Sequence, residues 1–366
     1  MSTITSPDGL VGVPLSAEPL KRKDFTSDQE VRWCPGCGDY SILATFQQLL
    51  PDLGIRRENT VVVSGIGCSS RLPYYMNTYG IHSIHGRALT LATGLAMTRP
   101  DLAVFVVTGD GDALSIGANH LVHALRRNVN ITILLFNNRI YGLTKGQYSP
   151  TSEVGQVTKS SPMGSLDHPV NPVSLALGAE ATFVARALDS DKAGLEATLA
   201  AAARHRGASL VEIYQNCSVF NDAAFEELKG PGSDESLIHL EAGKPILFGA
   251  DQHLGVVADP SGGVRAAEVA EVGLDAVLVH DPHCTDPSRA FALSRLTDQG
   301  VIRRAPVGIF RDVDRPAYDD QVRAQLELAQ QGTQSGHDDD AALEKLLLGP
   351  DTWQVVYAKA KAGLHR

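Results

Sequence analysis

Two short polar motifs follow two strongly apolar runs of the sequence. Gly109–Asp112, which reads GDGD, comes directly after LAVFVVT, and Asn137–Asn138 comes directly after ITILLF. The stretch between Asp110 and Asn138 is long enough for one helix that joins two parallel strands. If the apolar runs are neighbouring parallel strands, a carboxylate and an amide oxygen meet at the same edge of a sheet.

Carboxylate and amide oxygens at such an edge predict a site for a hard divalent cation. Mg²⁺ takes few protein oxygens and completes its octahedron with water or phosphate oxygens. The glycines on either side of Asp110 allow a phosphate to come close to the backbone. Taken singly, GDG and NN are also ordinary turn compositions. Their pairing, each after a clear strand, favours a Mg²⁺–phosphate site at Asp110 and Asn138.

Four cysteines form a second group of residues suited to chemistry. Cys34–Cys37 is a CxxC knuckle in CPGCG, Cys68 follows the first apolar run of the predicted sheet, and Cys217 follows the last. If the ends of both runs face one sheet edge, the four thiols can converge on zinc or on a [4Fe–4S] cluster. The alternatives are half a zinc ribbon, a dithiol redox pair and, for the single cysteines, buried apolar packing.

The elements that must position these motifs alternate between strand and helix. Short β-branched and apolar runs predict strands at Thr60–Ser64, Leu102–Thr108, Ile131–Phe136, Thr182–Ala185 and Ser209–Tyr214. Helices are predicted at Tyr40–Leu50, Arg87–Met97, Ile116–Arg127 and Ala193–His205. The alternation predicts a doubly wound, mainly parallel α/β sheet, in which ligands bind at the carboxyl ends of the strands.

Composition shifts divide the chain into three predicted parts. Residues 1–30 form an N-terminal arm, 31–229 the α/β domain, and 230–366 a C-terminal extension with little chemistry of its own. Within the domain, Gly142–Pro172 is irregular, and an irregular segment of this length is usually functional or disordered. The extension offers two strand-like pieces, GVVADP and DAVLVHDP, and a charged helical end from Pro316.

Composition also argues against several classes of protein. Hydrophobic residues make up 43% and charged residues 20% of the chain, an ordinary soluble balance. No export signal and no membrane-length apolar run is evident, so a cytoplasmic protein is expected. A net charge of −10 without a long basic run argues against nucleic acid or an anionic membrane as the partner. Five cysteines are too few for a disulfide framework in a chain of this length.

The pair of GDG and NN resembles the signature of thiamine diphosphate-binding proteins. By this resemblance, the side chains of Asp110 and Asn138 and the main-chain carbonyl of Ile140 bind Mg²⁺, which bridges the diphosphate. The resemblance also implies contacts to the cofactor from Gly65, Ile66, Gly67, Cys68, His85, Gly111, Asp112, Gly142 and Leu143.

Both groups of motifs together resemble the β subunits of the 2-oxoacid:ferredoxin oxidoreductases. The resemblance covers Val31–Asp222 through the stretches CPGCG, SGIGCSSRLPYY, IHGRAL, GDGDALSIGANH, NNRIYGLTKGQYSPTS and QNCSVFND. A redox partner beside a thiamine site must be a cluster or a flavin, which favours a cluster over zinc. The resemblance implies that the [4Fe–4S] cluster is held by Cys34, Cys37, Cys68 and Cys217.

Within this family the chain most resembles the enzymes that use 2-oxoglutarate. The resemblance implies oxidative decarboxylation to succinyl-CoA, with coenzyme A as acyl acceptor and ferredoxin as electron acceptor. His85 would face thiamine or substrate, and Leu143 and Lys145 would border the 2-oxoacid pocket, where the lysine can pair with a carboxylate. Cys284 lies outside the resemblance and is expected to have no part in the cluster.

The sequence also predicts a partner chain. It contains one predicted sheet and one GDG…NN pair, whereas thiamine activation needs a glutamate from a second α/β domain. An α subunit is therefore expected to supply the pyrimidine-side half of the site. Two other functions stay open: a non-redox thiamine decarboxylase or carboligase, which has no use for four cysteines, and a non-catalytic iron–sulfur electron-transfer subunit, which has no use for Asp110 and Asn138.

Overall fold

Apolar runs of the sequence become the strands of one large sheet. The computed structural model describes residues 8–297, 302–332 and 339–349. The strands are β1 (Thr60–Ser64), β2 (Tyr79–His82), β3 (Ala103–Gly109), β4 (Ile131–Asn137), β5 (Ile140–Tyr141), β6 (Gln147–Tyr148), β7 (Phe183–Leu188), β8 (Ala208–Tyr214), β9 (Leu237–Leu240), β10 (Leu247–Phe248), β11 (Leu254–Ala258), β12 (Val264–Glu268) and β13 (Ala305–Asp312). Within these residues, one sheet has eight strands in the order β2-β1-β3-β4-β8-β7-β13-β9.

The five strands predicted from the sequence correspond to β1, β3, β4, β7 and β8. They pair in parallel, and every residue of β1, β4, β7 and β8 is buried. Burial on both faces removes the need for polar alternation, which is why these runs are almost entirely apolar. β2 is an exposed strand at the edge of the sheet and was not predicted.

Helices cover both faces of this sheet. They are α1 (Asp39–Leu53), α2 (Ala88–Thr98), α3 (Ala118–Arg127), α4 (Pro172–Gly178), α5 (Lys192–Arg204), α6 (Val269–Val272), α7 (Ser288–Ser294), α8 (Tyr318–Gly332) and α9 (Asp339–Leu348). One apolar core joins the sheet to α2, α3 and α4, and a second joins it to α1 and α5. The predicted doubly wound α/β fold is therefore confirmed. The four predicted helices correspond to α1, α2, α3 and α5, and α4 was not predicted.

The predicted C-terminal extension contributes to the main sheet. β9 pairs in parallel with β13, and β13 pairs antiparallel with β7, so the sheet does not end at residue 229. The piece GVVADP lies mostly in β11, which forms a small antiparallel sheet with β10 and β12. The piece DAVLVHDP is not a strand, although Val277 and Val279 make isolated bridges. The chain divides into a unit Met1–Val322 and a second unit Arg323–Arg366, whose described part is helical.

The described part of the N-terminal arm packs on the domain. Leu10, Val13 and Phe25 are buried in the same apolar core as α1 and α5. Their burial explains why a segment without regular structure keeps a defined path over the surface. In the described residues, no helix has both the length and the apolar character that a membrane span requires.

Candidate active site

The sheet topology brings the predicted motifs to one edge. β1, β3, β4 and β8 are parallel and consecutive in the sheet, so their carboxyl ends point the same way. The four segments that leave these ends are Gly65–Cys68, Asp110–Asp112, Asn138–Gly142 and Gln215–Cys217. The chain order of the motifs and the order of the strands thus place them side by side, at the edge where parallel sheets bind ligands.

A pocket opens at this edge and contains most of the predicted cofactor residues. Its lining includes Ile66, Gly67, Cys68, His85, Asp110, Gly111, Asp112, Asn138, Ile140, Gly142 and Leu143. Gly65 lies behind the lining, where a side chain would run into the carboxylate of Asp112. The same pocket is also lined by Gly109 of the GDGD motif and by residues that the sequence did not single out: Ser69, Phe136, Tyr141 and Thr144.

Asp110 is a buried carboxylate without a cationic partner in the described chain. Its side chain is 2% exposed, and Oδ2 accepts hydrogen bonds from the hydroxyls of Ser149 at 2.5 Å and Thr151 at 2.6 Å. Burial raises the pKa of Asp110, although these hydroxyls act in the opposite direction. A buried carboxylate that lacks a cation is costly, and a divalent cation in the pocket would compensate its charge. The donor set therefore fits Mg²⁺.

Asn138 and Ile140 stand on the other side of the same pocket. The main-chain N–H of Ile140 donates to Asn138 Oδ1 at 3.1 Å, and Asn221 Nδ2 donates to the carbonyl of Asn138 at 2.9 Å. These bonds fix the amide of Asn138 at the end of β4. An amide oxygen has a second lone pair, so Asn138 Oδ1 can still bind a metal ion.

Asp112 contacts His85 instead of being free to face a ligand. His85 Nδ1 donates to Asp112 Oδ1 at 2.5 Å, and the main-chain N–H of Gly86 donates to the same oxygen at 2.7 Å. Oδ2 accepts from the hydroxyl of Thr108 at 2.7 Å. Because Asp112 holds Nδ1, the imidazole presents Nε2 as the nitrogen available to a ligand in the pocket. The pair orients a histidine whose side chain is still 42% exposed.

Gly111 has no side chain, and this leaves room for the ring of Tyr141. A Cβ at Gly111 would collide with the ring of Tyr141, whose hydroxyl donates to the carbonyl of Gly111 at 2.8 Å. The ring also meets His85 edge-on, with 6.5 Å between centroids. The sequence predicts that Gly111 lets a phosphate approach the backbone. The structure adds a second reason for a glycine at this position, which is the close packing of Tyr141 from β5.

The four predicted cysteines line a second pocket beside the first. It contains Cys34, Cys37, Cys68 and Cys217, with Trp33, Asn138, Gln215 and Phe220. A Cβ at Gly142 would lie 3.3 Å from Cys68 Sγ and 3.6 Å from Cys217 Sγ. These two sulfurs therefore converge on one point, and only a glycine leaves that point open. Cys284 is exposed and lines neither pocket.

Burial and hydrogen bonding determine the chemistry of the thiols in this pocket. Burial raises the pKa of Cys68 to about 12, with further contributions from Asp39 and Cys217, so this thiol stays protonated unless a metal displaces the proton. Gln215 Nε2 donates to Cys37 Sγ at 3.3 Å. In the ranges that the structure describes, no three His, Cys, Asp or Glu side chains are grouped for one metal ion.

The two pockets share a wall, and three cationic side chains line the cysteine pocket. Cys68, Asn138, Gly142 and Leu143 line both of them. Lys145 lines the cysteine pocket and does not line the pocket of Asp110. Two further cationic side chains, Arg32 and Arg71, also line the cysteine pocket. A cluster bound by the cysteines would therefore lie directly beside a cofactor bound at Asp110.

Several residues of the site gave little sign in the sequence. Ser149 and Thr151 lie in the irregular segment after β5, where hydroxyl side chains are common whatever their role. Trp33 donates from Nε1 to the carbonyl of Cys68 at 2.8 Å, and its place beside CPGCG was the only available signal. Arg71 stands three positions after Cys68 inside a motif that carried the resemblance, so its spacing could have drawn attention to it.

Comparisons with known proteins relate the chain to a family and a fold. Residues 65–213 match the family described as thiamine pyrophosphate enzyme, C-terminal TPP binding domain. The chain is 64% identical to 2-oxoglutarate oxidoreductase subunit KorB of Mycobacterium tuberculosis, over 94% of this chain and 91% of that protein. It is 35% identical to subunit beta of 2-oxoacid:ferredoxin oxidoreductase 1 of Aeropyrum pernix, over 89% and 92%.

A solved structure extends the similarity to three dimensions. It is the 2-oxoglutarate:ferredoxin oxidoreductase from Magnetococcus marinus with 2-oxoglutarate, coenzyme A and succinyl-CoA bound. The TM-score is 0.72 at 31% identity, and the match covers 92% of this chain and all of the other. The sequence identity, the shared fold and the thiamine diphosphate-binding domain lead to one conclusion: the chain belongs to the β subunits of the 2-oxoacid:ferredoxin oxidoreductases.

Proposed function

We propose that this chain, together with an α subunit, oxidatively decarboxylates 2-oxoglutarate to succinyl-CoA and passes the electrons to ferredoxin. The choice of 2-oxoglutarate is supported by the names of relatives from Mycobacterium tuberculosis and Archaeoglobus fulgidus. It is supported further by the ligands bound to the Magnetococcus marinus enzyme. The coarser assignment, a subunit of a 2-oxoacid oxidoreductase, follows from the family.

The observation that carries the proposal is the shared wall between the two pockets. Asp110, Asn138 and the carbonyl of Ile140 would hold Mg²⁺ against the diphosphate in one pocket. The four cysteines would hold a [4Fe–4S] cluster in the other. Thiamine diphosphate supplies the electron sink for decarboxylation, and the cluster accepts electrons one at a time. Cys68 and Gly142 line both pockets, so electrons would have little distance to cross.

The remaining residues position substrate and protons. His85, oriented by Asp112, presents Nε2 to the pocket and can hold or move a proton there. Lys145 and Arg71 line the adjoining pocket and can pair with the carboxylates of a diacid. Leu143 is 47% exposed between the two pockets and gives the substrate an apolar contact.

The surface near the pocket suits a partner subunit. Residues Ala88–Thr98 of α2 include no charged side chain, yet the helix exposes Thr90, Leu91, Gly94 and Thr98 along one face. Ile116 beside this face is 58% exposed. A helix that is uncharged all round is normally buried. An α subunit carrying the pyrimidine-side glutamate would cover this face and complete the pocket next to it.

The test is an anaerobic assay of the chain with and without its partner. We expect 2-oxoglutarate- and coenzyme A-dependent reduction of ferredoxin by the co-purified complex, and at least about 100-fold slower reduction by this chain alone, because the activating acid is missing. Equal rates from both would contradict the need for a partner. Faster turnover of pyruvate than of 2-oxoglutarate would contradict the choice of substrate.

Replacing any one of Cys34, Cys37, Cys68 and Cys217 by serine should remove most of the iron and the visible absorption of the anaerobic protein. Serine removes the soft thiolate that a cluster prefers while it keeps the size of the side chain. The matched control is Cys284→Ser, which should keep both iron and colour. Iron content and absorption spectra decide the outcome, and an equal loss in the control would show that the four ligands were wrongly chosen.

Replacing Lys145 by alanine should raise the KM for 2-oxoglutarate about tenfold, since a charged hydrogen bond contributes about 1.5 kcal/mol or more. Binding of thiamine diphosphate should change much less. The matched control is Lys159→Ala, an exposed lysine of the same irregular segment. A normal KM for Lys145→Ala in steady-state kinetics would show that Lys145 is an ordinary solvated lysine that does not bind the substrate.

A further inference from the structure

Two hydroxyl groups of the irregular segment hold the carboxylate of Asp110. Ser149 Oγ lies 2.5 Å and Thr151 Oγ1 lies 2.6 Å from Asp110 Oδ2, and all three side chains are at most 3% exposed. Both hydroxyls reach the same oxygen, and neither donates to Oδ1. The main-chain N–H groups of Gly111 and Asp110 also stabilise the charged carboxylate. Within the described residues Oδ1 accepts no side-chain hydrogen bond, so it can still bind a metal ion.

Three hydrogen bonds connect the segment that carries these hydroxyls to Arg139, just after β4. The main-chain N–H of Ser149 donates to Ser152 Oγ at 2.8 Å, and this hydroxyl donates to the carbonyl of Arg139 at 2.5 Å. Arg139 Nε in turn donates to the carbonyl of Thr151 at 2.8 Å. The turn Ser149–Ser152 is thus closed around the end of β4, next to the metal-binding residues.

The same segment carries the residues proposed for the substrate. Leu143 and Lys145 lie between β5 and β6, and Ser149 follows β6 directly. β5 and β6 form a short antiparallel pair, in which Ile140 is opposite Tyr148 and Tyr141 is opposite Gln147. This pairing links the position of Ser149 to that of the loop between the two strands. A change at Asp110 can therefore reach the substrate residues through a short hairpin.

We infer that Ser149 and Thr151 are positioning residues that clamp Asp110 for Mg²⁺ and couple cofactor binding to the order of the hairpin bearing Leu143 and Lys145. The inference rests on the proposed function, because it assumes that Asp110 binds Mg²⁺. When Mg²⁺ and the diphosphate bind, Asp110 is fixed, the two hydroxyls are fixed on it, and the hairpin is held. By linkage, an ordered hairpin strengthens cofactor binding by the same factor.

The experiment uses the αβ complex with Ser149→Ala, Thr151→Val and the double variant. Mg²⁺-dependent thiamine diphosphate affinity is measured by calorimetry, and amide hydrogen exchange of residues 142–152 is measured in the loaded complex. Partners of metal ligands typically contribute 10–100-fold to metal affinity. We therefore expect about tenfold weaker binding for each single variant, up to about 100-fold for the double variant, and faster exchange of the hairpin.

Two further variants separate positioning from simple support of the fold. Thr151→Ser keeps the hydroxyl and should restore nearly normal affinity and exchange. Ser160→Ala, in an exposed part of the same segment, should change neither. Without cofactor, Ser149→Ala and Thr151→Val should lower the midpoint of thermal denaturation by a few degrees at most, because each variant removes only one of the hydrogen bonds to the buried carboxylate of Asp110.

Three results would overturn the inference. They are unchanged affinity in the double variant, unchanged hydrogen exchange despite weaker binding, and a loss that Thr151→Ser does not restore. Failure of the wild-type complex to bind thiamine diphosphate at all is distinguishable from these, since it would contradict the proposed function itself and the inference with it.

Discussion

Asp110→Asn is expected to weaken Mg²⁺-dependent binding of thiamine diphosphate by about 100-fold or more while leaving the cofactor-free protein at least as stable as before. Asparagine keeps the shape of the side chain and can still accept hydrogen bonds from Ser149 and Thr151. It lacks the negative charge that a divalent cation needs opposite the diphosphate. The substitution thus removes the function of the residue and leaves its packing in place.

The expected gain in stability follows from the environment of Asp110. Burial raises the pKa of this carboxyl, so the folded protein binds the proton more tightly than the unfolded chain does. When no cation is bound, the fold therefore loses stability as the pH rises above the ordinary carboxyl pKa, until the pH passes the raised pKa of the folded protein. Asparagine removes that cost.

Calorimetry at low Mg²⁺ and thermal denaturation without cofactor are the two measurements. The matched control is Asp52→Asn, an exposed carboxylate on α1, which should change neither quantity. Normal affinity in Asp110→Asn would remove this residue from the metal site. Weak binding together with a large loss of stability would instead mean that the carboxylate supports the fold.

The edge of the sheet was predictable because local signals agree there. Runs such as ITILLF are almost continuously apolar, and each motif residue follows the end of its strand within four positions. Parallel pairing then determines which ends meet, so Asp110, Asn138, Cys68 and Cys217 could be placed together before any coordinates were known. Contacts between distant parts of the chain did not have to be known, because the residues at the end of each strand indicate where that strand ends.

The C-terminal strands were not predictable in the same way. β13 pairs with β7, which lies more than a hundred residues earlier, and it contains a buried arginine. Arg311 is 5% exposed and is accommodated by donating to the carbonyls of Ala181 and Thr285. A positive φ at Gly308 and a register shift after Ile309 interrupt the strand further. Because of this charged residue and this bulge, β13 lacks the continuous apolar run that identifies a buried strand.

The hydrogen-bond partners of the site residues could not be predicted from the sequence either. Asp112 was predicted as a cofactor contact because it belongs to GDGD, and its pairing with His85 depends on how the loop after β2 folds back. Sequence can indicate that both residues belong to one edge. It cannot show that the carboxylate is engaged by a histidine, a main-chain N–H and a hydroxyl, because those bonds depend on distances of a few tenths of an ångström.

A buried ion pair in contact with Asn137 is expected to be a sensitive point of the domain. Glu212 on β8 accepts from Arg186 Nε on β7 and from Asn137 Nδ2 on β4, each at 2.7 Å, and both charged side chains are 0% exposed. Arg186 also donates to Thr297 Oγ1 at 2.8 Å. Thr151 Oγ1 also lies 2.9 Å from Asn137 Oδ1, so the pair is adjacent to the clamp on Asp110.

Glu212→Ala is expected to lower the free energy of unfolding by about 3–5 kcal/mol, because it leaves the guanidinium of Arg186 buried without a counter-charge. The double variant Arg186→Met/Glu212→Leu removes both charges and keeps the volume, so it should cost much less than Glu212→Ala. Glu227→Ala, an exposed carboxylate, is the matched control. Urea denaturation gives the three values. If the double variant were as unstable as Glu212→Ala, the lost packing and the bonds to Asn137 and Thr297 would account for the stability, and the stranded charge would not.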